Sequence, residues 1–186
     1  SMKRELSEQE IIRRESLQKL KDLGVNPYPA EAFEVNITTN QIHEMYKQDR
    51  DLEVIIAGRL MSRRIMGKAS FGEIQDSKGR IQIYINRDEI CSGEDKTIYN
   101  TVFKKLLDIG DFIGIKGNVF TTKVGEVSVN VKELKLLTKS LRPLPLPKAD
   151  VDGNVHDAFT DPEKRYRQRS VDLVVNPEVK NVFIKR

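Results

Sequence analysis

The chain has one cysteine and no tryptophan. A lone Cys91 excludes an internal disulfide and a cysteine-rich zinc site. A reducing, cytoplasmic setting is the default expectation from that usage. No run of about 18 apolar residues occurs, so no membrane-spanning helix is expected. The start, Ser1-Met2-Lys3-Arg4-Glu5, has no apolar stretch of the kind a secretory signal needs. Ser1 ahead of Met2 has the look of a cleaved tag and is set aside. Two histidines, His43 and His156, lie in separate segments without metal-ligand spacing and read as structural. Neither a glycine-rich phosphate loop nor a nucleophile-elbow motif is present. Charge is not one-sided either: 32 Lys and Arg stand against 28 Asp and Glu, a net +4. By region the balance is −2 over 1–51, +3 over 52–138 and +3 over 139–186. Such an excess permits a polyanionic partner and does not demand one.

What remains is a chain of 186 residues, 38% hydrophobic. That is enough for a core, in one domain with extensions or two small domains. Residues 7–23 predict a helix. Ser7 and Glu10 make a capping-box pattern, and Ile11, Ile12, Leu17, Leu20 and Leu23 recur at roughly helical spacing. Gly24 ends it, and Asn26-Pro27-Tyr28-Pro29 forms a stiff link. Thr39 is the expected cap of a short helix through Tyr46. The helix over 7–23 reads as a surface helix packed on a neighbouring unit.

Residues 52–138 read differently. Leu52–Ile65 and Ala69–Asp76 are apolar and interrupted by polar groups, and Arg80–Asn86 alternates, with Ile81, Ile83 and Ile85 on one face and Gln82 and Tyr84 on the other. Thr97–Leu107 predicts a helix. Asp111–Thr121 and Glu126–Leu137 predict a second hairpin around Thr122-Lys123-Val124-Gly125. The order is three strands, a helix and two strands. It predicts a mainly β protein with a five-stranded OB-fold barrel. Gly58 suits a bend in a long first strand; Gly110, Gly114 and Gly117 read as bends in a strand pattern. Prolines 143, 145, 147 and 162 mark a linker. Asn176-Pro177 then starts a helix still open at Arg186, which points to a piece of something longer. The expected units are a helical extension over 1–51, the barrel over 52–138, a linker over 139–161, and the opening of another domain over 162–186.

Barrels of this kind bind oligonucleotides on the second and third strands, between the first-second and fourth-fifth loops. Bases need rings to stack on, and phosphates need cations. Arg59, Arg63, Arg64 and Lys68 fall in one acid-free run with Phe71. Gln82 and Tyr84 share a face of the third strand, and Glu126 leaves the fourth-fifth loop. Each residue alone has a plain structural explanation. Their convergence on one face favours single-stranded nucleic acid.

Ala57–Phe71, Asp108–Gly114, Lys139–Pro145 and Phe159–Arg169 together resemble class II lysyl-tRNA synthetases, the first three their anticodon-binding region and the last the segment leading into their catalytic domain. The resemblance runs from about residue 8 to the end. It implies an OB-fold that grips the uridine-rich anticodon loop of lysine tRNA. Phe71 would stack on a base, Arg64 and Gln82 would donate to uracil oxygens, and Glu126 would accept from N3–H. Glu133, in the same hairpin, is the alternative acceptor. Arg59, Arg63 and Lys68 would meet phosphates. The complete ligase would use ATP and Mg²⁺, act as a cytoplasmic homodimer and need no membrane. This chain would begin that catalytic domain, lack the ATP site, hold no cofactor or metal, and be catalytically silent. Ser170 and Asn130 depart from the family pattern, where tyrosine and histidine are usual. A free-standing OB module that binds single strands without reading bases is the competing expectation, and an assembly scaffold a third.

Overall fold

The alternating runs over 51–86 become three strands in a computed structural model of the chain. It describes residues 6–48 and 50–144, and the backbone of four two-residue strands between 148 and 185. The expected catalytic-domain opening, including Ser170 and the helix at Asn176, lies outside the described residues, as does most of the linker.

After a two-residue strand β1 (Glu34–Val35) come β2 (Asp51–Met66), β3 (Ala69–Asp76) and β4 (Gly79–Asn86). The later hairpin gives β5 (Phe112–Thr121) and β6 (Val127–Thr138). β3 lies antiparallel to β2 and β4, and β5 lies antiparallel to β2 and β6. A parallel pairing of β4 with β6 completes a closed ring of five strands. β2 closes it by changing partner near Arg59, from β5 before to β3 after. Gly58 sits at that switch. A Cβ there would lie 2.4 Å from Ile74 Cγ2 and 2.5 Å from the Gln75 carbonyl oxygen. The two backbones meet only because no side chain intervenes. Gly114 serves a different contact, since the Phe33 ring lies over it, 2.4 Å from where a Cβ would be.

Inside the ring, one face of every strand is apolar. Ile56, Leu60, Ile74, Ile83, Ile85, Ile113, Ile115, Val129 and Val131 are fully buried. Each such side chain contributes about 1.5–3 kcal/mol relative to exposure. The segment predicted as an ordinary helix is a π-helix, Ile98–Leu106, and it adds Tyr99, Val102 and Phe103 to the same core. The Leu107 N–H bonds back five residues to the Val102 carbonyl at 2.9 Å. The Tyr99 hydroxyl satisfies itself within the core, 2.7 Å from Ser70 Oγ and donating to the Gly67 carbonyl at 2.9 Å.

Two helical expectations need correction. Helix α1 (Glu8–Asp22) forms with Ser7 as its cap, but its buried positions are Glu10, Arg13, Ser16 and Leu20. Ile11, Ile12 and Leu23 stay exposed at 46%, 43% and 48%. A buried polar anchor overrides the apolar stripe: Arg13 Nη1 donates to the carbonyls of Ile109 (3.0 Å) and Ser140 (3.2 Å). Helix α2 (Thr39–Met45) is capped by Thr38, whose N–H donates to Gln41 Oε1 at 2.9 Å. Thr39 instead bonds Asp76 through its N–H (2.9 Å) and its hydroxyl (2.7 Å). A short helix α3 (Arg87–Ile90), capped by Asn86, was not legible in the sequence.

A charged knot ties the end of β6 to the start of β5. Lys139 Nζ donates to Asp108 (2.5 Å) and Asp111 (2.8 Å), and its side chain is 2% exposed. Asp111 also accepts from the N–H groups of Asp108 and Ser140. Burial pushes the Asp111 carboxyl above its ordinary pKa, while Lys139 and the two N–H groups oppose that rise.

Candidate nucleic-acid interface

Strand parity decides what the ring shows to solvent. In β3, Ser70, Gly72 and Ile74 point inward, so Phe71 and Glu73 point outward. Registers then carry this outer face across four strands. One row runs Arg64–Phe71–Tyr84–Asn130, and the next Ser62–Glu73–Gln82–Ser128. Across β5 the rows end on Asn118 and Phe120.

Phe71 is half-buried and outward. Its ring centroid lies 5.1 Å from that of Tyr84, tilted by 55°. Tyr84 meets Phe120 edge-on at 6.0 Å. Three rings therefore form one floor. The Arg64 guanidinium lies over Phe71, 5.6 Å from its centroid, a cation–π contact of about 0.5–1 kcal/mol at an exposed site. Beside Phe71 opens a cleft of about 340 Å³ lined by Ser62, Arg63, Arg64, Phe71, Gly72, Glu73 and Gln82. Arg64, Gln82 and Ser62 offer donors, and Glu73 offers acceptors. An aromatic floor with donors on two sides and one carboxylate suits a flat ring bearing carbonyls and one N–H.

The structure brings Arg64, Phe71 and Gln82 together in that cleft. Lys68 is exposed in the turn between β2 and β3, at one end of the face. Arg63 also lines the cleft, but its Nη1 is committed elsewhere. It donates to the carbonyls of Phe103 (2.7 Å) and Leu107 (2.6 Å) at the end of the π-helix. Burial lowers its pKa from the ordinary arginine value, and Asp108 and Asp111 pull it back up. Arg59 turns the same way, with Nη1 donating to the Gly110 carbonyl at 3.1 Å. Glu126 is exposed at the end of the β5–β6 turn, two residues before Ser128, which lies opposite Gln82. Glu133 lines a separate cleft with Tyr28, Phe33, Gly114 and Lys116.

Sequence reasoning passed over Glu73 and Phe120 altogether. Glu73 follows Phe71 by two in an alternating strand, so parity alone could have placed it on this face. It forms an ion pair with Arg80 at 2.9 Å. Phe120 carried no such signal, because its place beside Tyr84 depends on the parallel β4–β6 pairing.

Residues 54–137 match the tRNA anticodon-binding family, described as an OB-fold nucleic acid binding domain. The ring's strand order and outward rings are those of the matched segment. The chain is 63% identical over 182 residues to a lysine–tRNA ligase of Christiangramia forsetii, covering 98% of this chain and 32% of that protein. It is 60% identical over 185 residues to the lysine–tRNA ligase of Porphyromonas gingivalis, with the same coverage of each. This chain matches the anticodon-binding region of lysine–tRNA ligases. A ligase of that name from Azobacteroides pseudotrichonymphae shares 56% over 182 residues, 97% of this chain and 36% of that protein. The chain spans about a third of the length of these relatives. Within the matched OB-fold, the outward face of β3 and β4 is the candidate anticodon surface.

Proposed function

We infer that this chain grips the anticodon loop of lysine tRNA on the outer face of β2, β3 and β4. The observation that carries the reading is the cleft beside Phe71, where an outward ring, Arg64, Gln82 and Glu73 meet in about 340 Å³. A uracil stacked on Phe71 presents two carbonyls and one N3–H between them. Arg64 and Gln82 donate to the carbonyls. The N3–H goes to a carboxylate: Glu126, at the turn beside Ser128, or Glu73, in the cleft wall. Arg64 and the exposed Lys68 meet the backbone phosphates. Arg59 and Arg63, whose Nη1 groups hold backbone carbonyls, shape the face and contribute less to phosphate binding. The unit over 52–138 does the reading, and the extension over 1–51 buttresses it through Arg13 and Leu20.

The complete protein would be a class II lysine–tRNA ligase, a cytoplasmic homodimer that activates lysine with ATP and Mg²⁺. Among the described residues no group of three or more His, Cys, Asp or Glu could hold a metal ion. The described residues do not fit the ATP–Mg²⁺ group. The role assigned to this chain is recognition, with no catalysis of its own.

Fluorescence anisotropy at fixed salt tests the reading. A hairpin with three loop uridines should bind more tightly than one with the middle uridine changed to cytidine or a purine. Equal affinities would instead support a module that binds single strands without reading bases.

A further inference from the structure

The outer face does not end at Tyr84. On its far side, away from Gln82, lies a second cleft of about 350 Å³. Tyr84 and Phe120 give it an aromatic wall, and Asn118, Asn130 and Glu89 give it polar edges. Its chemistry is the inverse of the first cleft. Asn130 Nδ2 donates to Glu89 Oε1 at 2.8 Å, which fixes the orientation of that amide. Its Oδ1 is buried and makes no hydrogen bond among the described residues, and the same holds for Asn118 Oδ1. The two asparagines are direct partners across β5 and β6. Two carbonyl oxygens without donors and a carboxylate therefore stand beside an aromatic wall. Asp51 and Glu89 outweigh the single cation, Lys132, so a phosphate is disfavoured there. The missing component is a flat group that brings N–H donors.

We propose that this cleft is a second base subsite, selective for a nucleobase with an exocyclic amine, and that it takes a loop nucleotide neighbouring the one on Phe71. The ring packs against Tyr84 and Phe120. The amine donates to Asn130 Oδ1 and Asn118 Oδ1, both of which turn toward the ligand as it seats. A buried acceptor left without a donor is costly, so satisfying one contributes selectively. Adenine fits best, because its amine and N7 match the acceptor and donor of a side-chain amide. The two clefts then read opposite chemistries along one strand: a carbonyl-rich base on Phe71 and an amino-bearing base beyond Tyr84. The proposal rests on the assignment of the Phe71 face to the anticodon loop.

The test uses the 186-residue chain and hairpins with three loop uridines. Each flanking loop position carries in turn adenosine or nebularine, which is the same purine without its amine. Anisotropy should show adenosine preferred about five-fold at one flank, the worth of roughly one hydrogen bond. Asn130→Ala should erase that preference and leave the nebularine hairpin's affinity unchanged. Equal binding of adenosine and nebularine at both flanks overturns the second subsite. If uridine selectivity and Phe71 dependence persist in that case, the first reading survives alone. Failure of the chain to bind any hairpin overturns both.

Discussion

Phe71 and Arg63 sit eight positions apart and do opposite work. Phe71 faces out beside an open cleft, so Phe71→Ala removes a stacking surface and little packing. Hairpin binding should weaken by about 1–3 kcal/mol, with the melting temperature nearly unchanged. A large drop in melting temperature would show that the ring belongs to the core. Arg63 is bound to the π-helix through two carbonyls. Arg63→Met strands both and should cost about 2–4 kcal/mol in urea unfolding, while the salt dependence of binding keeps its slope. Arg64→Ala and Lys68→Ala should do the reverse, with stability kept and the slope shallower by about 0.7 for each phosphate no longer neutralised. The sequence placed Arg64, Phe71 and Gln82 on one face, because strand parity is local. It could not separate Arg63 from Arg64. The two differ in which way the chain turns at the β2 bulge, between Leu60 and Ser62. What Arg63 meets is a helix end 40 residues away.

Elements show the same division between local and distant causes. Strand runs and hairpin turns were readable to within a residue or two, since alternation and turn residues act over short range. Helix α1 was readable in extent but not in orientation. Its apolar spacing predicted one face, and the Arg13 bonds to Ile109 and Ser140 selected another. A buried guanidinium needs its acceptors, and that requirement outweighs exposing Ile11 and Ile12. The knot of Lys139 with Asp108 and Asp111 anchors the same corner. Lys139→Met leaves Asp111 buried without its counter-charge and should cost about 3–5 kcal/mol near neutral pH. The sign of the pH dependence follows from the raised Asp111 pKa. A carboxyl held above its unfolded value binds its proton more readily when folded. Its unfavourable effect is therefore absent below the unfolded pKa and develops as pH rises toward the folded one. The Lys139→Met loss should shrink as pH falls into the carboxylate range. Urea midpoints across pH check this, and a loss that does not vary with pH would mean Asp111 is not the group left exposed to the penalty.

At the scale of the whole molecule, a closed ring of five strands turns one apolar face inward and leaves one patterned face outward. Alternation foretold the ring and its strand order. The parallel β4–β6 pairing, which brings Phe120 beside Tyr84, lay beyond any local pattern. With only a modest positive balance, +4 over the chain, selectivity has to come from that face more than from charge. The central claim is that a uracil lies on the Phe71 ring. Intermolecular proton–proton cross-peaks in an NMR study of the chain with a uridine-loop hairpin test it most directly. The account predicts cross-peaks from the Phe71 ring to the H5 and H6 protons of one loop uridine. A tight complex whose uridine cross-peaks lead only to other parts of the barrel, with none to Phe71, would contradict it.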